Sequence, residues 1–92
     1  MSISEQDLME LYTVITSLKS VDECKAFLAD LCTYKEVEQM AQRVTAAKLI
    51  MQGKTYEEVI KETDISSATL SRVSKAVKYG NGYKLVLNKN EK

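Results

Sequence analysis

The sequence has no histidine, no proline and no tryptophan, and its 92 residues include only three glycines, two cysteines and one phenylalanine. Without histidine the chain lacks the usual general base and the commonest metal ligand. No carboxylate cluster stands at a spacing that would serve a nucleophile or a metal. We therefore expect a protein that is not an enzyme and that needs no metal or other cofactor for catalysis.

No apolar run approaches the roughly 20 residues of a membrane-spanning helix. The N-terminal segment MSISEQDLME has neither the basic nor the apolar region of a signal peptide. We expect no membrane association and a cytoplasmic location. Cys24 and Cys32, eight positions apart, would be separated by about 12 Å along one helix, too far for a disulfide. Both are predicted to be small buried apolar residues.

The formal net charge is zero, but the 13 basic and 13 acidic residues are unevenly distributed. Residues 65–92 carry six basic side chains against one acid, whereas residues 1–42 carry eight acids against three bases. The C-terminal part could therefore meet phosphates that the N-terminal part would repel. Two solvated faces without a ligand would give the same distribution.

Helix starts are marked by a serine or threonine followed three residues later by an acid, as in a capping box. The four such pairs are Ser4/Asp7, Ser20/Glu23, Thr33/Glu36 and Thr55/Glu58. The first helix after Ser4 should carry an apolar stripe, and further helices are predicted over about 21–31 and 34–52, the latter ended by Gly53. The predicted apolar positions of these three helices are Leu8, Leu11, Tyr12, Ile15 and Leu18; Cys24, Phe27, Leu28 and Leu31; and Val37, Met40, Ala41, Val44, Ala47 and Met51.

A helix-turn-helix is predicted over about Thr55 to Tyr79. Its first helix buries Val59 and Ile60, the bend is at 63–65, and Ser66 or Ser67 caps the second helix. In that second helix Leu70, Val73 and Val77 should face inward, and Ala68, Ser71, Arg72 and Lys75 outward. Residues 80–82, which tolerate positive φ angles, should close it. Residues 83–87 read as a short helix or an extended tail, with a short helix favoured and fraying expected over 88–92.

The outward face of the second helix is short, polar and basic, which suits the major groove of DNA. Small side chains at its start let the backbone approach base edges, and its N-terminal amides can hold a phosphate. Two packed helices that never meet nucleic acid are the alternative. The predicted DNA-binding residues are Lys54, Thr55, Tyr56, Ser66, Ser67, Ala68, Thr69, Ser71, Arg72 and Lys75.

Three segments together carry a family resemblance. Residues 42–53, Thr55-Tyr56-Glu57-Glu58-Val59 and Ser67-Ala68-Thr69-Leu70-Ser71-Arg72-Val73 resemble the Trp repressor superfamily, in particular its YerC/YecD branch. The resemblance implies an all-α fold of five to six helices in one domain spanning 1–92, with the helices of about 4–52 interlaced in a homodimer. The implied interface residues are Leu8, Leu11, Tyr12, Ile15, Leu18, Phe27 and Leu28.

The resemblance also implies a transcriptional regulator, more often a repressor, that binds a pseudo-palindromic operator. Arg43 and Arg72 match two arginines that contact the corepressor in Trp repressor, and they define a candidate ligand pocket. Val73 stands where that repressor has a glycine beside the indole, so we expect no response to tryptophan; another small corepressor stays open. Glu57 replaces a basic residue near DNA. A protein-interaction adaptor with an acidic docking surface and a small-molecule sensor are the alternative functions.

Overall fold

The computed structural model describes residues 2–90, and side chains over residues 2–88. This part of the chain forms six α-helices and no strand, as predicted for an all-α fold. The helices are α1 (Glu5–Thr16), α2 (Val21–Leu31), α3 (Tyr34–Met51), α4 (Tyr56–Thr63), α5 (Ser67–Tyr79) and α6 (Gly82–Asn90). Contacts divide the chain into two compact units, Met1–Tyr34 and Lys35–Lys92.

Helices begin where the capping pattern predicts. Ser4 Oγ accepts a hydrogen bond from the Asp7 amide at 3.1 Å, and Ser20 caps α2 in the same way. At α4 the box is reciprocal, because Thr55 Oγ1 accepts from the Glu58 amide and Glu58 Oε1 accepts from the Thr55 amide at 2.8 Å. These side chains satisfy amides that have no partner within a helix, which fixes each start to one residue.

The first helix ends earlier than the apolar stripe predicted. α1 stops at Thr16, so Leu18 lies in the connection to α2 and its place in the helical stripe is a wrong prediction. Thr16 Oγ1 donates to the Thr13 carbonyl at 2.9 Å, and Ser17 Oγ donates to the Val14 carbonyl at 2.6 Å. Two consecutive hydroxyls that bond backbone carbonyls compete with the helical ladder, and they account for the early end.

The end of α3 falls one residue before the predicted position. Gly53 has φ +90°, its amide donates to the Ile50 carbonyl at 3.0 Å, and the Lys54 amide donates to the Leu49 carbonyl at 3.1 Å. This pair of bonds is the Schellman arrangement, in which a residue with positive φ closes the helix. The expectation that Gly53 terminates α3 is confirmed.

The core of the second unit lies where α3, α4 and α5 supply buried side chains. Ala46 and Ala47 of α3 are fully buried, whereas Val44 is 42% exposed and Ala41 is also exposed. The inward placement of Ala41 and Val44 is therefore wrong within this structure, because packing with α4 and α5 selects the two small alanines. The buried cluster is Ala46, Ala47, Val59, Ile65, Leu70, Val73 and Val77.

Gly80 closes α5, as predicted, but it does so without a positive φ angle. Gly80 caps α5 with φ −89° and extended backbone, and only Gly53 and Asp64 have positive φ in the described part of the chain. A Cβ atom at Gly80 would lie 2.7 Å from the Ala76 carbonyl oxygen, so this glycine is required for close approach and not for positive φ. Gly82 begins α6, which confirms the short helix; residues 88–90 are helical, and 91–92 lie outside the described residues.

The first unit holds its apolar residues near the surface. No residue of α1 or α2 is buried; Leu8 and Leu11 are half-buried, and Tyr12 and Ile15 are 54% and 43% exposed. Leu18, Cys24, Phe27, Leu28 and Cys32 are half-buried and Leu31 is 51% exposed. The predicted burial of both cysteines is thus only partial, and both carry free thiols. No helix among residues 2–90 is long and apolar enough to cross a membrane.

Candidate nucleic-acid interface

The turn between α4 and α5 is held by hydrogen bonds from both sides. Asp64 adopts the left-handed conformation with φ 61°, and its amide caps α4 by donating to the Ile60 carbonyl at 2.8 Å. Thr63 Oγ1 donates to the Val59 carbonyl at 2.8 Å and accepts from the Ile65 amide at 3.2 Å. Ile65 is 3% exposed. A buried apolar residue directly after a left-handed one fixes the direction in which the chain leaves the turn.

The third helix contributes to the same turn. Gln42 Nε2 donates to the Thr63 carbonyl at 3.1 Å across 21 positions of sequence. That carbonyl is in the last residue of α4, where no amide of the helix is available to it. Gln42 therefore holds the end of α4 to α3, a role that sequence reasoning missed because the side chain belongs to no local pattern.

Ser66 caps α5, which decides between the two serines of the prediction. Its Oγ accepts from the Thr69 amide at 3.2 Å, and it also donates to Thr69 Oγ1 at 3.0 Å. Ser67 is the first residue of the helix and is exposed. The start of α5 therefore presents two hydroxyls in contact with each other and one outside the pair.

The two faces of α5 are the predicted ones. Leu70, Val73 and Val77 are at most 8% exposed, whereas Ala68, Ser71, Arg72 and Lys75 are all exposed. The exposed face includes Arg72, Lys75 and Lys78 and no acid, since the segment SATLSRVSKAVKY contains none. This surface thus combines a positive potential with small polar side chains, the chemistry that base edges and phosphates require.

The start of α4 contributes the other predicted contacts. Lys54, Thr55 and Tyr56 are exposed, Tyr56 by 48%. Thr55 uses its hydroxyl oxygen and its amide in the capping box, and the hydrogen bond from that amide is the main cause that lowers the pKa of Glu58. Glu57, the acid at the position where the resemblance implies a base, is also exposed.

A polar cleft of about 320 Å³ lies between α3 and the start of α5. Its walls are Gln39, Gln42, Arg43, Asp64, Ile65, Ser66 and Thr69. Of the two predicted pocket arginines, Arg43 lines this cleft and Arg72 is not among its walls. Val73 is 2% exposed and lies in the core cluster, so its branched side chain occupies the interior of the second unit.

A second cleft, of about 490 Å³, is apolar and lies beside α6. Val44 of α3, Ala76 of α5, and Tyr83, Val86 and Leu87 of α6 form most of its wall. No charged side chain is among its walls. The cleft explains the exposure of Val44, which faces open space and not the core. Across the described residues no group of three or more cysteine, aspartate or glutamate side chains is placed to hold a metal.

Comparisons with known proteins agree with the resemblance seen in the sequence. YerC, an uncharacterized protein of Bacillus subtilis (strain 168), is 40% identical over 85 residues, which are 91% of this chain and 82% of YerC. A crystal structure from Staphylococcus aureus, of a protein proposed to be a Trp repressor, has a TM-score of 0.90 at 38% identity and covers 95% of this chain and 88% of that one.

A second solved structure is equally similar. It is a TrpR-like protein from Eubacterium eligens ATCC 27750, with a TM-score of 0.90 at 36% identity over 97% of this chain and 96% of that chain. The family description "Trp repressor protein" matches residues 6–91. With nearly the whole chain matched in sequence and in fold, the protein belongs to the Trp repressor family.

Proposed function

We propose that this protein is a transcriptional regulator that binds specific double-stranded DNA as a homodimer through α4 and α5. The family is one of helical regulators. The observation that carries the proposal is the outward face of α5, where Ala68, Ser71, Arg72 and Lys75 are exposed while the opposite face is buried. A helix that packs into the core on one side and is basic on the other can enter the major groove while the rest of the fold stays intact.

Each predicted contact has a defined chemistry in this arrangement. Ser67 and Ala68 at the start of α5 are small, which lets the helix backbone approach base edges. Arg72, one turn further on, can donate two hydrogen bonds to a guanine or to a phosphate. Lys54 and Lys75 supply positive charge for the DNA backbone, which mainly contributes affinity and orientation. Sequence preference therefore depends most on residues 67–72.

The dimer accounts for the exposed apolar residues of the first unit. A chain of 92 residues buries a smaller share of its surface on folding than a larger domain does, and α1 and α2 contain no buried residue. A second subunit would cover side chains such as Leu11, Ile15 and Phe27. Two-fold symmetry would then place the two α5 helices about one turn of DNA apart, roughly 34 Å, and would require a pseudo-palindromic operator.

Repression is the mode of action that we propose, and we also propose that tryptophan is not the corepressor. The argument against tryptophan is Val73. It stands where Trp repressor has a glycine that makes room for the indole, and its side chain is enclosed in the core. A different small molecule stays compatible with the polar cleft beside Arg43. No metal or enzymatic cofactor enters the proposal.

Selection from a random double-stranded DNA pool, at about 50 and 200 mM salt, tests the function. We expect enrichment of a two-fold symmetric motif and weaker binding at the higher salt, because phosphate contacts release counterions. Arg72→Ala, which removes a basic side chain of the proposed interface, should weaken this enrichment. Its matched control is Lys25→Ala, which removes an exposed lysine of α2 and should leave the enrichment unchanged. No enrichment at either salt concentration would refute DNA recognition by the protein alone and would favour the adaptor function or a corepressor that the assay lacks.

A further inference from the structure

The third helix is joined to the helix-turn-helix both by a side-chain hydrogen bond and by apolar packing. Gln42 Nε2 of α3 donates to the Thr63 carbonyl at 3.1 Å, and both residues are half-buried. Further along α3, Ala46 and Ala47 are fully buried in the core that α4 and α5 share. Residues four apart lie on the same face of a helix, so the face of α3 that carries Gln42 and Ala46 makes both kinds of contact.

The apolar part of this contact gives little control over direction. The free energy of burying apolar surface depends on the area buried and not on the angle between the groups. An alanine methyl group also has no further atoms that could interlock with a neighbouring helix. The packing of Ala46 and Ala47 therefore holds α4 and α5 close to α3, but it resists a change in their tilt only weakly.

The hydrogen bond from Gln42 supplies that control, because such a bond weakens steeply when its angle falls below about 120°. Its acceptor belongs to the last residue of α4, where no amide of the helix is available. The other bonds of the turn are local. Thr63 Oγ1 bonds the Val59 carbonyl and the Ile65 amide, and Ser66 caps α5. Because these local bonds join the end of α4 to the start of α5, the bond that holds Thr63 also sets the direction of α5.

We infer that Gln42 is a positioning residue for DNA recognition, and that its bond to Thr63 fixes the angle between α3 and α5. The inference rests on the proposed function. In a dimer formed by the helices before α4, that angle sets the spacing of the two α5 helices. A two-fold symmetric site requires them about one turn of DNA apart, roughly 34 Å. Unrelated DNA has no such requirement, because its phosphates are present along the whole duplex. Gln42 should therefore contribute to sequence preference without contacting DNA.

Gln42→Met tests the inference through affinities for the selected site and for unrelated DNA of the same length, measured by fluorescence anisotropy. Methionine has a similar length and helix propensity but no donor for the Thr63 carbonyl. Affinity for the selected site should fall by about 2- to 10-fold for each subunit, as for the loss of one ordinary hydrogen bond. Affinity for unrelated DNA should be unchanged. The salt dependence should also be unchanged, because no charge is removed.

Gln39→Met is the matched control on the same helix. Gln39 is exposed, and its side chain forms no hydrogen bond within the described residues, so the ratio of the two affinities should not change. Gln42→Glu is a second variant at the site itself. Glutamate is close to glutamine in shape but has no donor when ionised, so the ratio should fall again. It tests the inference if Gln42→Met does not fold, which circular dichroism and thermal unfolding would reveal.

Three results would overturn the inference. One is the same ratio of affinities in Gln42→Met and in the natural protein. Another is an equal loss of affinity for both DNAs together with a lower thermal midpoint, which would give the bond a role in stability alone. The third is a fall in the ratio for Gln39→Met as large as that for Gln42→Met, which would mean that the bond to Thr63 is not the cause. Failure of the natural protein to bind any DNA would instead refute the proposed function, and the inference with it.

Discussion

Replacing Gly80 with alanine should destabilise the protein, because an added Cβ atom would lie 2.7 Å from the Ala76 carbonyl oxygen. That oxygen is backbone and cannot rotate away. It already accepts a hydrogen bond from the Gly80 amide at 2.9 Å, and this bond caps α5. Relief of the overlap must therefore stretch this cap or shift the connection to α6. Forced overlaps of this size in packed regions typically cost about 1 to 3 kcal/mol, and we expect a value in that range.

Gly82 and Gly53 provide two matched controls for the same substitution. A Cβ atom at Gly82 meets nothing within 4 Å, and Gly82 is the first residue of α6, so Gly82→Ala should be neutral or stabilising by up to about 0.5 kcal/mol. Gly53 also has open space, but its φ is +90°. Gly53→Ala should cost about 1 to 2 kcal/mol from backbone strain alone.

Urea unfolding followed by circular dichroism, at one fixed protein concentration, measures these free energies of unfolding. The concentration must be constant because subunit association would contribute to the apparent stability. We expect a lower free energy of unfolding for Gly80→Ala and Gly53→Ala and little change for Gly82→Ala. If Gly80→Ala unfolds at the same urea concentration as the natural protein, the close approach to Ala76 is not a constraint and the argument fails.

Four further predictions concern the site and its supports. Arg72→Ala should weaken binding to the selected operator by about 1 to 3 kcal/mol with an unchanged thermal midpoint; fluorescence anisotropy measures this, and equal affinity would remove Arg72 from the interface. Leu11→Asp should yield a monomeric or unfolded protein, because it places a charge in the proposed dimer interface; a stable dimer in light scattering would contradict that interface. Glu58→Gln should destabilise the protein at neutral pH, and the difference should disappear as the pH falls, because the pKa of Glu58 is lowered in the folded protein by the Thr55 amide. Such a group stabilises above its unfolded pKa and loses the effect through its folded pKa, so a constant difference in unfolding from neutral to acidic pH would refute the coupling. Calorimetric titration should give the same affinity for DNA with and without L-tryptophan, and a clear effect of tryptophan would overturn the argument from Val73.

Much of the fold is predictable from local sequence, for a physical reason. Ser4, Ser20 and Thr55 cap helices at the predicted residues, since a capping side chain bonds an amide only three positions away. Gly53 ends α3 by the same kind of local rule. The spacing of Leu70, Val73 and Val77 likewise determines which face of α5 is buried, and so which face is free to meet DNA.

Features that depend on distant segments required the tertiary structure. Several residues of α3 fit an apolar stripe, and only the packing of α4 and α5 selects Ala46 and leaves Val44 exposed. The bond from Gln42 to the Thr63 carbonyl spans 21 positions and has no local signature. Arg43 lines the polar cleft and Arg72 does not, which likewise depends on how the helices pack. Sequence alone determines where these helices begin and which side of α5 is polar, because both follow from bonds and spacings within one or two turns. The tertiary structure decides which residues of different helices share a site, because that depends on how the helices pack.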